Sequence, residues 1–335
     1  MIQTHTLVKT ILGCGDVTTI QPLDVGQDGW RNELLFFIKP NLLAVSKQTH
    51  IARSLDLILG KLDEFEAHAH GILAVNGRTL DQLGIMNRHY GFINQLSRSA
   101  SKILGQTGRA RIAAALGITE IKDCEILGGH EYLAQHPEQN ALTLNRLWRS
   151  KESVKLESGF YVQSYRQHGQ TLILVNGFHP LQIASYTDPA HRIVVMLLHS
   201  DTAWAILRKQ MIGATFPEKA VPQSIRGALY QNPQKFGLET VNIASNGVHL
   251  SAGPFEAMFE IVNFGGRLFD LDLNQHPPLL LTKMRQAGID AEQARRTLDN
   301  PPIPSATRSL HLFAATEEMD TEQAIAFWKK LAATA

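Results

Sequence analysis

The chain has 335 residues, with 32 Lys+Arg against 31 Asp+Glu, a formal net charge of +1, 44% apolar residues and 19% charged ones. That balance fits a globular protein and excludes binding to nucleic acid or a membrane surface through bulk charge, so any phosphate site has to be local. Cys14 and Cys124 are far apart and have no metal-ligand spacing, which argues against a disulfide framework or a zinc site.

In chain order, no apolar run reaches the length of a membrane span. The N-terminal stretch, with one lysine and a broken apolar segment, makes a poor secretory signal, so a reducing cytoplasm is the expected compartment. Leu7–Leu12 reads as a strand or short helix before a turn-rich loop. Glu33–Ile38, a nearly continuous apolar run, reads as a fully buried strand that ends at Lys39-Pro40-Asn41. Residues 46–65 carry Ile51, Leu55, Ile58, Leu59 and Leu62 at helical spacing. Gly71–Val75 is a second short apolar run, and Leu80–Tyr90 a second helical pattern. Residues 91–177 break this rhythm. They hold an Ala/Ser/Arg-rich helical stretch over Ile93–Leu116 interrupted by Gly105 and Gly108, then turns at Gly128-Gly129 and His136-Pro137. A hairpin follows, made by Gly159–Arg166 and Gln170–Val175 around Gln167-His168-Gly169. HAHG at 68–71 and GGH at 128–130 read as surface or turn residues. Arg192–His199 reads as another buried strand, Asp201–Gln210 as a helix, residues 213–226 as a proline-punctuated loop and Leu238–Ala244 as a further core strand. After Ile261 come Gly265-Gly266, a break at Pro277-Pro278, a helix around Leu279–Leu298, the PPIP loop at 301–304 and a terminal helix over Thr321–Ala332 capped by Asp320 or Thr321.

The stretch Val241–Ile261 carries the chemistry. His249 falls at a turn between a strand end and a helix opened by Gly253-Pro254. A histidine can accept a phosphoryl group on one ring nitrogen while an acceptor holds the other, which splits one transfer into two easier ones. Glu256 and Glu260, four apart, share a helix face from which a carboxylate can orient the ring. Asn246 can donate to a sugar hydroxyl or a phosphate oxygen. Phosphoryl transfer needs positioning and positive donors, for which Lys39, Arg208 or Lys209, and Arg226 are the candidates, with Thr215 as a hydroxyl donor.

These segments together resemble the nucleoside diphosphate kinase family. FFIKPN is similar to that family's first strand with its Ile-Lys-Pro-Asp, and His89-Tyr90 to its His-Tyr pair. RIVVMLL is similar to its central strand, GATFP and SIRG to its Gly-x-Thr-x-Pro and Ile-Arg-Gly segments, and NGVHLS to its Asn-x-x-His-Gly-Ser. The resemblance covers residues 31–92 and 178–265. It implies an α+β fold with a ferredoxin-like βαββαβ core, an N-terminal extension over 1–30, an inserted α+β subdomain over 93–177 and a helical C-terminal extension over 266–335. It further implies His249 as the phosphorylated nucleophile and Glu260 behind its ring. Lys39 and Tyr90 would lie near the phosphates, Arg226 and one of Arg208 or Lys209 on them, Thr215 on the β-phosphate side, Asn246 on the sugar, Ser251 among the nucleotide- and phosphate-binding residues, and Phe178 or His179 against the base. ATP with Mg²⁺ carried mainly by the nucleotide phosphates, nucleoside di- and triphosphates as partners, and a homo-oligomer are expected on the same ground.

The chain departs from the family pattern at Asn41, Leu250, Ala252 and Ala228-Leu229, where the family has Asp, Gly, Asp and Asp-Phe, and it has about ten extra residues between Arg226 and Asn246. Three functions follow from this. One is a ping-pong phosphotransferase. Another is a kinase specialised for one nucleotide or a modified nucleotide, and the third a non-catalytic nucleotide-binding or scaffold protein.

Overall fold

The apolar run near the N-terminus becomes a strand buried on both faces. In this computed structural model, which describes residues 4–24, 29–157, 159–167, 169–303 and 310–332, the chain divides into two compact units, Met1–Leu83 with Pro189–Ala335, and Gly84–Asp188. Both combine helices with largely antiparallel sheets, an α+β composition.

The first unit holds a five-stranded sheet of β1 (Val17–Gln21), β2 (Asn32–Ile38), β3 (His68–Asn76), β4 (Arg192–Ser200) and β5 (Val248–Leu250), in the order β1-β3-β4-β2-β5 with every neighbouring pair antiparallel. Leu34, Phe36 and Ile38 of β2 join a core with Leu7, Val8 and Ile11 of helix α1 (Thr4–Leu12). The same core takes Ile51, Leu55, Ile58 and Leu62 of α2 (Gln48–Glu64), and Ile225 and Leu229 of α3 (Ile225–Gln231). The three-to-four-residue spacing along α2 puts its apolar residues on one stripe, which faces the sheet. Leu35 and Phe37, pointing the other way, are also fully buried, and Phe37 stacks on Phe264 of α4 (Pro254–Leu268) with centroids 5.9 Å apart. A strand covered on both faces needs apolar residues at every position, which is why Glu33–Ile38 shows no alternation.

Several local expectations need correction. Leu7–Leu12 belongs to a helix. Leu238–Ala244 is irregular, and the edge strand is Val248–Leu250, so His249 lies in a strand and not at a turn tip. A strand needs a pairing partner, and the one β2 supplies begins where the Lys39 amide meets the Gly247 carbonyl at 2.9 Å. Gly247 has φ +84°, and a Cβ there would lie 2.5 Å from the Leu229 side chain, so only glycine fits the approach to β5. Leu80–Tyr90 splits into helices Gly77–Gln82 and Ile85–His89 around Gly84, whose φ is +60°. The helix expected over Asp201–Gln210 is a short α-turn, Trp204–Ile206, followed by a π-turn, Leu207–Ile212. The loop over 213–226 contains a 3₁₀ turn at Pro217–Lys219 and runs into α3, capped by Ser224, whose Oγ accepts the Gly227 amide at 3.2 Å. HAHG is the start of β3, with His70 buried.

The C-terminal segment packs into the first unit. Phe255 and Met258 of α4 share a cluster with Leu280, Met284, Leu312, and Ala324 and Ile325 of α5 (Thr321–Ala332). Asp320 does not use its carboxylate to cap α5. Oδ1 accepts the Trp204 amide at 2.8 Å and Asn32 Nδ2 at 2.9 Å, Oδ2 accepts Arg31, and Gln323 reaches back to the Asp320 amide at 2.9 Å. Pro304, part of the PPIP loop, lies outside the described residues.

The second unit carries a four-stranded sheet in the order Cys124–Gly128, Gln170–Val175, Phe160–Gln167, Val154–Glu157, with the first pair parallel and the rest antiparallel. Ile126, Ile173 and Val175 pack with Leu96, Ala100 and Ile112, while Leu127, Leu172 and Leu174 pack with Tyr132, Leu144 and Trp148, so the alternation places helices on both faces. Gly105 separates helices Gly91–Ile103 and Gln106–Leu116, whereas Gly108 lies inside the second. GGH opens a helix, Gly129–Gln135, and His130 is half-buried against Ser97, with Nδ1 2.9 Å from Oγ. His168, named in the expected hairpin, lies outside the described residues.

Replacing Asp320 by alanine leaves the buried Trp204 amide without its acceptor and the buried Asn32 side-chain amide with only the Thr202 carbonyl. Asp320→Ala is expected to destabilise the first unit by about 2–4 kcal/mol, read as a lowered midpoint in urea unfolding. An unchanged midpoint would show that the anchor is not stabilising.

Candidate active site

His249 pairs with Phe37 in the register of β5 on β2, and the two rings stack with centroids 4.5 Å apart at 17°. Its Nε2 lies 2.7 Å from Glu260 Oε1. Glu260 is fully buried in the second turn of α4, where a carboxylate has to be matched by donors. Its other oxygen, Oε2, accepts the Ser251 hydroxyl at 2.6 Å. Ser251 Oγ accepts the Leu35 amide at 3.0 Å and also lies 3.1 Å from the Leu35 carbonyl. Its single proton goes to the shorter, charge-assisted bond with Glu260. The carboxylate thus ties the edge strand, the central strand and the helix together at one point. With the carboxylate as acceptor, a neutral imidazole carries its proton on Nε2 and its lone pair on Nδ1.

The helix start sets that geometry. Pro254 occupies the first turn, and a Cβ on Gly253 would lie 2.4 Å from the Thr316 carbonyl oxygen. Glu256 shares the helix face with Glu260, but it accepts the Ala252 amide at 2.6 Å and so fixes the connection to β5.

A second group of residues gathers at the other end of β5. Lys39, at the end of β2, is buried and donates from Nζ to Asn246 Oδ1 at 2.6 Å. Burial first, and the nearby Arg226 charge second, push its pKa from 10.5 down to about 7. Arg226, also buried, donates from Nη1 to the Gly213 carbonyl at 3.0 Å and from Nη2 to the Val248 carbonyl at 3.1 Å. Asn246 donates from Nδ2 to the Thr215 carbonyl at 3.3 Å and the Ile243 carbonyl at 3.2 Å. Its amide is therefore engaged within the protein, and Thr215 itself is exposed. Lys39, Arg226, Asn246 and Thr215, distant in sequence, meet around residues 246–248.

Arg208 donates to the Leu250 carbonyl at 3.0 Å and pairs with Glu317 at 3.2 Å, and the exposed Lys209 pairs with Glu318 at 2.9 Å. Both lie in the π-turn. Tyr90 and Phe178 belong to the second unit. The Tyr90 hydroxyl donates to that of Tyr186 at 3.3 Å. Phe178 is half-buried against Trp148 and Tyr161, with centroids 5.8 and 5.7 Å away, so its ring is engaged in packing. His179 is fully buried, 2.9 Å from Gln182 Oε1, and desolvation pushes its pKa down to about 4.

Three participants escape a sequence reading. The Phe37 ring is visible there only as one more apolar residue of β2. Glu317 and Glu318 have no local pattern that pairs them with residues more than a hundred positions earlier.

No family model and no curated protein matches the sequence. Among solved structures, the chain overlaps an NDP kinase from Pyrobaculum aerophilum at 19% identity, over 70% of this chain and 97% of that one, with a TM-score of 0.33. An overlap that loose carries no argument about this chain.

The lowered Lys39 pKa has a direct consequence. The ammonium is present below about pH 7 and is lost as the pH rises through that value. Inorganic tripolyphosphate is expected to bind more weakly across that rise in calorimetric titrations. Lys39→Arg, charged throughout, supplies the baseline and should show a flatter profile. Parallel profiles for the two proteins would contradict a role for Lys39 in holding phosphate.

Proposed function

We propose that the chain is a phosphotransferase that moves the γ-phosphate of a nucleoside triphosphate to a nucleoside diphosphate through a phosphohistidine on His249, and that the first unit is a ferredoxin-like βαββαβ core. The observation that carries the reading is the 2.7 Å contact between His249 Nε2 and the buried Glu260. It fixes the tautomer that makes Nδ1 a nucleophile. The core assignment is supported by the strand order. With β1 set aside, β2 and β4 begin the two strand–helix–strand halves and lie at the centre, flanked by β3 and β5.

In the first half-reaction, the Nδ1 lone pair attacks the γ-phosphorus. The N–P bond forms, the bond from phosphorus to the bridging oxygen breaks, and its electron pair leaves with the nucleoside diphosphate. The imidazole becomes positive, and the Glu260 carboxylate stabilises that charge. In the second half-reaction, a terminal phosphate oxygen of the acceptor attacks phosphorus and the N–P bond breaks. Lys39 exchanges Asn246 for a phosphate oxygen, and Arg226 adds charge while bracing Val248, the residue before the nucleophile. Thr215 offers its hydroxyl to the β-phosphate side. Mg²⁺ would arrive on the nucleotide and spread the phosphate charge. That fits a site in which the carboxylates of α4, Glu260 and Glu256, are already engaged with His249 and Ser251 and with the Ala252 amide.

A second reading, nucleotide binding without turnover, has one observation in its favour. Arg208 and Lys209, the ambiguous phosphate candidates, pair with Glu317 and Glu318.

Incubation with γ-labelled ATP is expected to give an acid-labile, base-stable phosphoprotein that His249→Ala does not form. Glu260→Gln, which keeps the shape and removes the charge, should slow labelling by roughly ten- to a hundredfold. Equal labelling of wild type and His249→Ala would overturn the phosphohistidine. Binding of ATP with no label in wild type would favour the second reading.

A further inference from the structure

Glu33, His70 and His199 meet on three neighbouring strands of the first unit. Glu33 of β2 pairs with His199 of β4. On the other side of β4, the register passes from Ala69↔Leu198 to Gly71↔Leu197 and skips His70, a β-bulge. Bulges re-aim side chains and recur at functional sites. This one lays the His70 ring flat on His199, with centroids 3.8 Å apart at 6°.

Three polar atoms converge there. Glu33 Oε1 lies 3.4 Å from His199 Nε2 and 3.7 Å from His70 Nε2, and the three atoms lie within 4.8 Å of one another. These separations exceed the ~2.8 Å of a charge-assisted hydrogen bond. They are close to the ~3.4 Å between two ligands that each sit ~2.1 Å from a tetrahedral ion. The side chains are 11%, 8% and 6% exposed for Glu33, His70 and His199, so this is a built site and not a surface coincidence.

The outer contacts are those that orient metal ligands. His70 Nδ1 lies 3.3 Å from the Asp24 carbonyl and donates to it, which puts the lone pair on Nε2. That buried Nε2 has no hydrogen-bond partner. Glu33 Oε2 accepts the Leu279 amide at 2.7 Å, which holds Oε1 toward the rings. Desolvation, chiefly, lowers the His70 pKa to about 4 and keeps the ring neutral at ordinary pH, as a ligand must be.

We propose that Glu33, His70 and His199 form a three-ligand site for a divalent transition cation of the zinc class, with a fourth position left to water. An ion in the plane of one stacked ring lies off the plane of the other, so binding turns His199 out of the stack. Its buried Nδ1 makes no hydrogen bond that would resist the turn. Trp30 stacks on the His199 ring at 5.9 Å and 20°, so its indole senses the movement. The site is separate from the one around His249. Glu33 and Phe37, the partner of His249, are four residues apart on β2, about 14 Å at ~3.4 Å per residue. An ion there cannot touch a phosphate on His249, and the proposal does not depend on the phosphotransfer reading.

The test uses the full chain, freed of metal by a chelator, and titrates it with Zn²⁺ and with Co²⁺. One equivalent is expected to bind, with the strong visible absorption of a four-coordinate Co²⁺ site that Zn²⁺ displaces, and with a change in tryptophan emission that Trp30→Phe removes. Glu33→Gln and His199→Gln should each weaken binding by at least about tenfold, and His249→Gln should leave it unchanged. In the unaltered chain, where folding is not in question, Zn²⁺ should shift the His70 and His199 ring signals in nuclear magnetic resonance and spare those of His249. The proposal is overturned by the absence of saturable binding, by ring signals of His70 and His199 that do not move, or by equal affinity in folded Glu33→Gln and His199→Gln.

Discussion

A buried carboxylate shared between a histidine and a serine is the constraint on which the geometry around His249 depends. Glu260 has no water to stabilise it, so its two oxygens need donors from the protein, and they find them on His249 and Ser251, two residues apart on one short stretch of chain. Meeting that requirement fixes three elements at once. The helix α4 has to start close to the edge strand, which Gly253 and Pro254 allow. β5 has to pair with β2 so that His249 faces α4. Ser251 has to lie against Leu35, where its hydroxyl closes the ladder that β5 leaves off. A three-residue edge strand would otherwise be weakly held.

Legibility in the sequence follows the same physics. β2 and β4 are readable because strands buried on both faces need apolar residues at every position, and Leu34–Ile38 and Ile193–Leu198 supply them. α2 is readable from the spacing of Ile51, Leu55, Ile58 and Leu62. β5 is not, because three residues after a glycine carry no period, while Leu238–Ala244 looks more strand-like and finds no partner. His70 is misread from its polar neighbours, since its burial is created by a bulge and by a ring on another strand. The candidate nucleophile and the residue behind it are legible because they sit on one local segment. The engagement of Asn246 with Lys39, of Arg208 with Glu317 and of Asp320 with Trp204 is not, since each joins segments that are remote along the chain.

The tail beyond α4 belongs to the first unit in substance. Asp320 seats it on the start of β2 and on the turn at Trp204, the Glu318 amide donates to the Ala252 carbonyl at 2.8 Å, and its acids neutralise the π-turn cations. The backbone just after His249 is thereby held from outside the segment Val241–Ile261. Position 252, an alanine, contributes that backbone and no carboxylate. Two polar clusters thus lie along β2, one around His249 and one around Glu33, each built by a single carboxylate that receives groups from neighbouring elements.

The central claim is that Glu260 holds His249 with its proton on Nε2 and its lone pair on Nδ1. Long-range proton–nitrogen correlation in protein labelled with nitrogen-15 histidine reads this directly, with His249→Gln used to assign the ring. The account predicts a protonated, pyrrole-type Nε2 and a pyridine-type Nδ1 for His249, with that preference lost in Glu260→Ala. A proton on Nδ1 in the unaltered chain, or the same tautomer with and without the carboxylate, would contradict it.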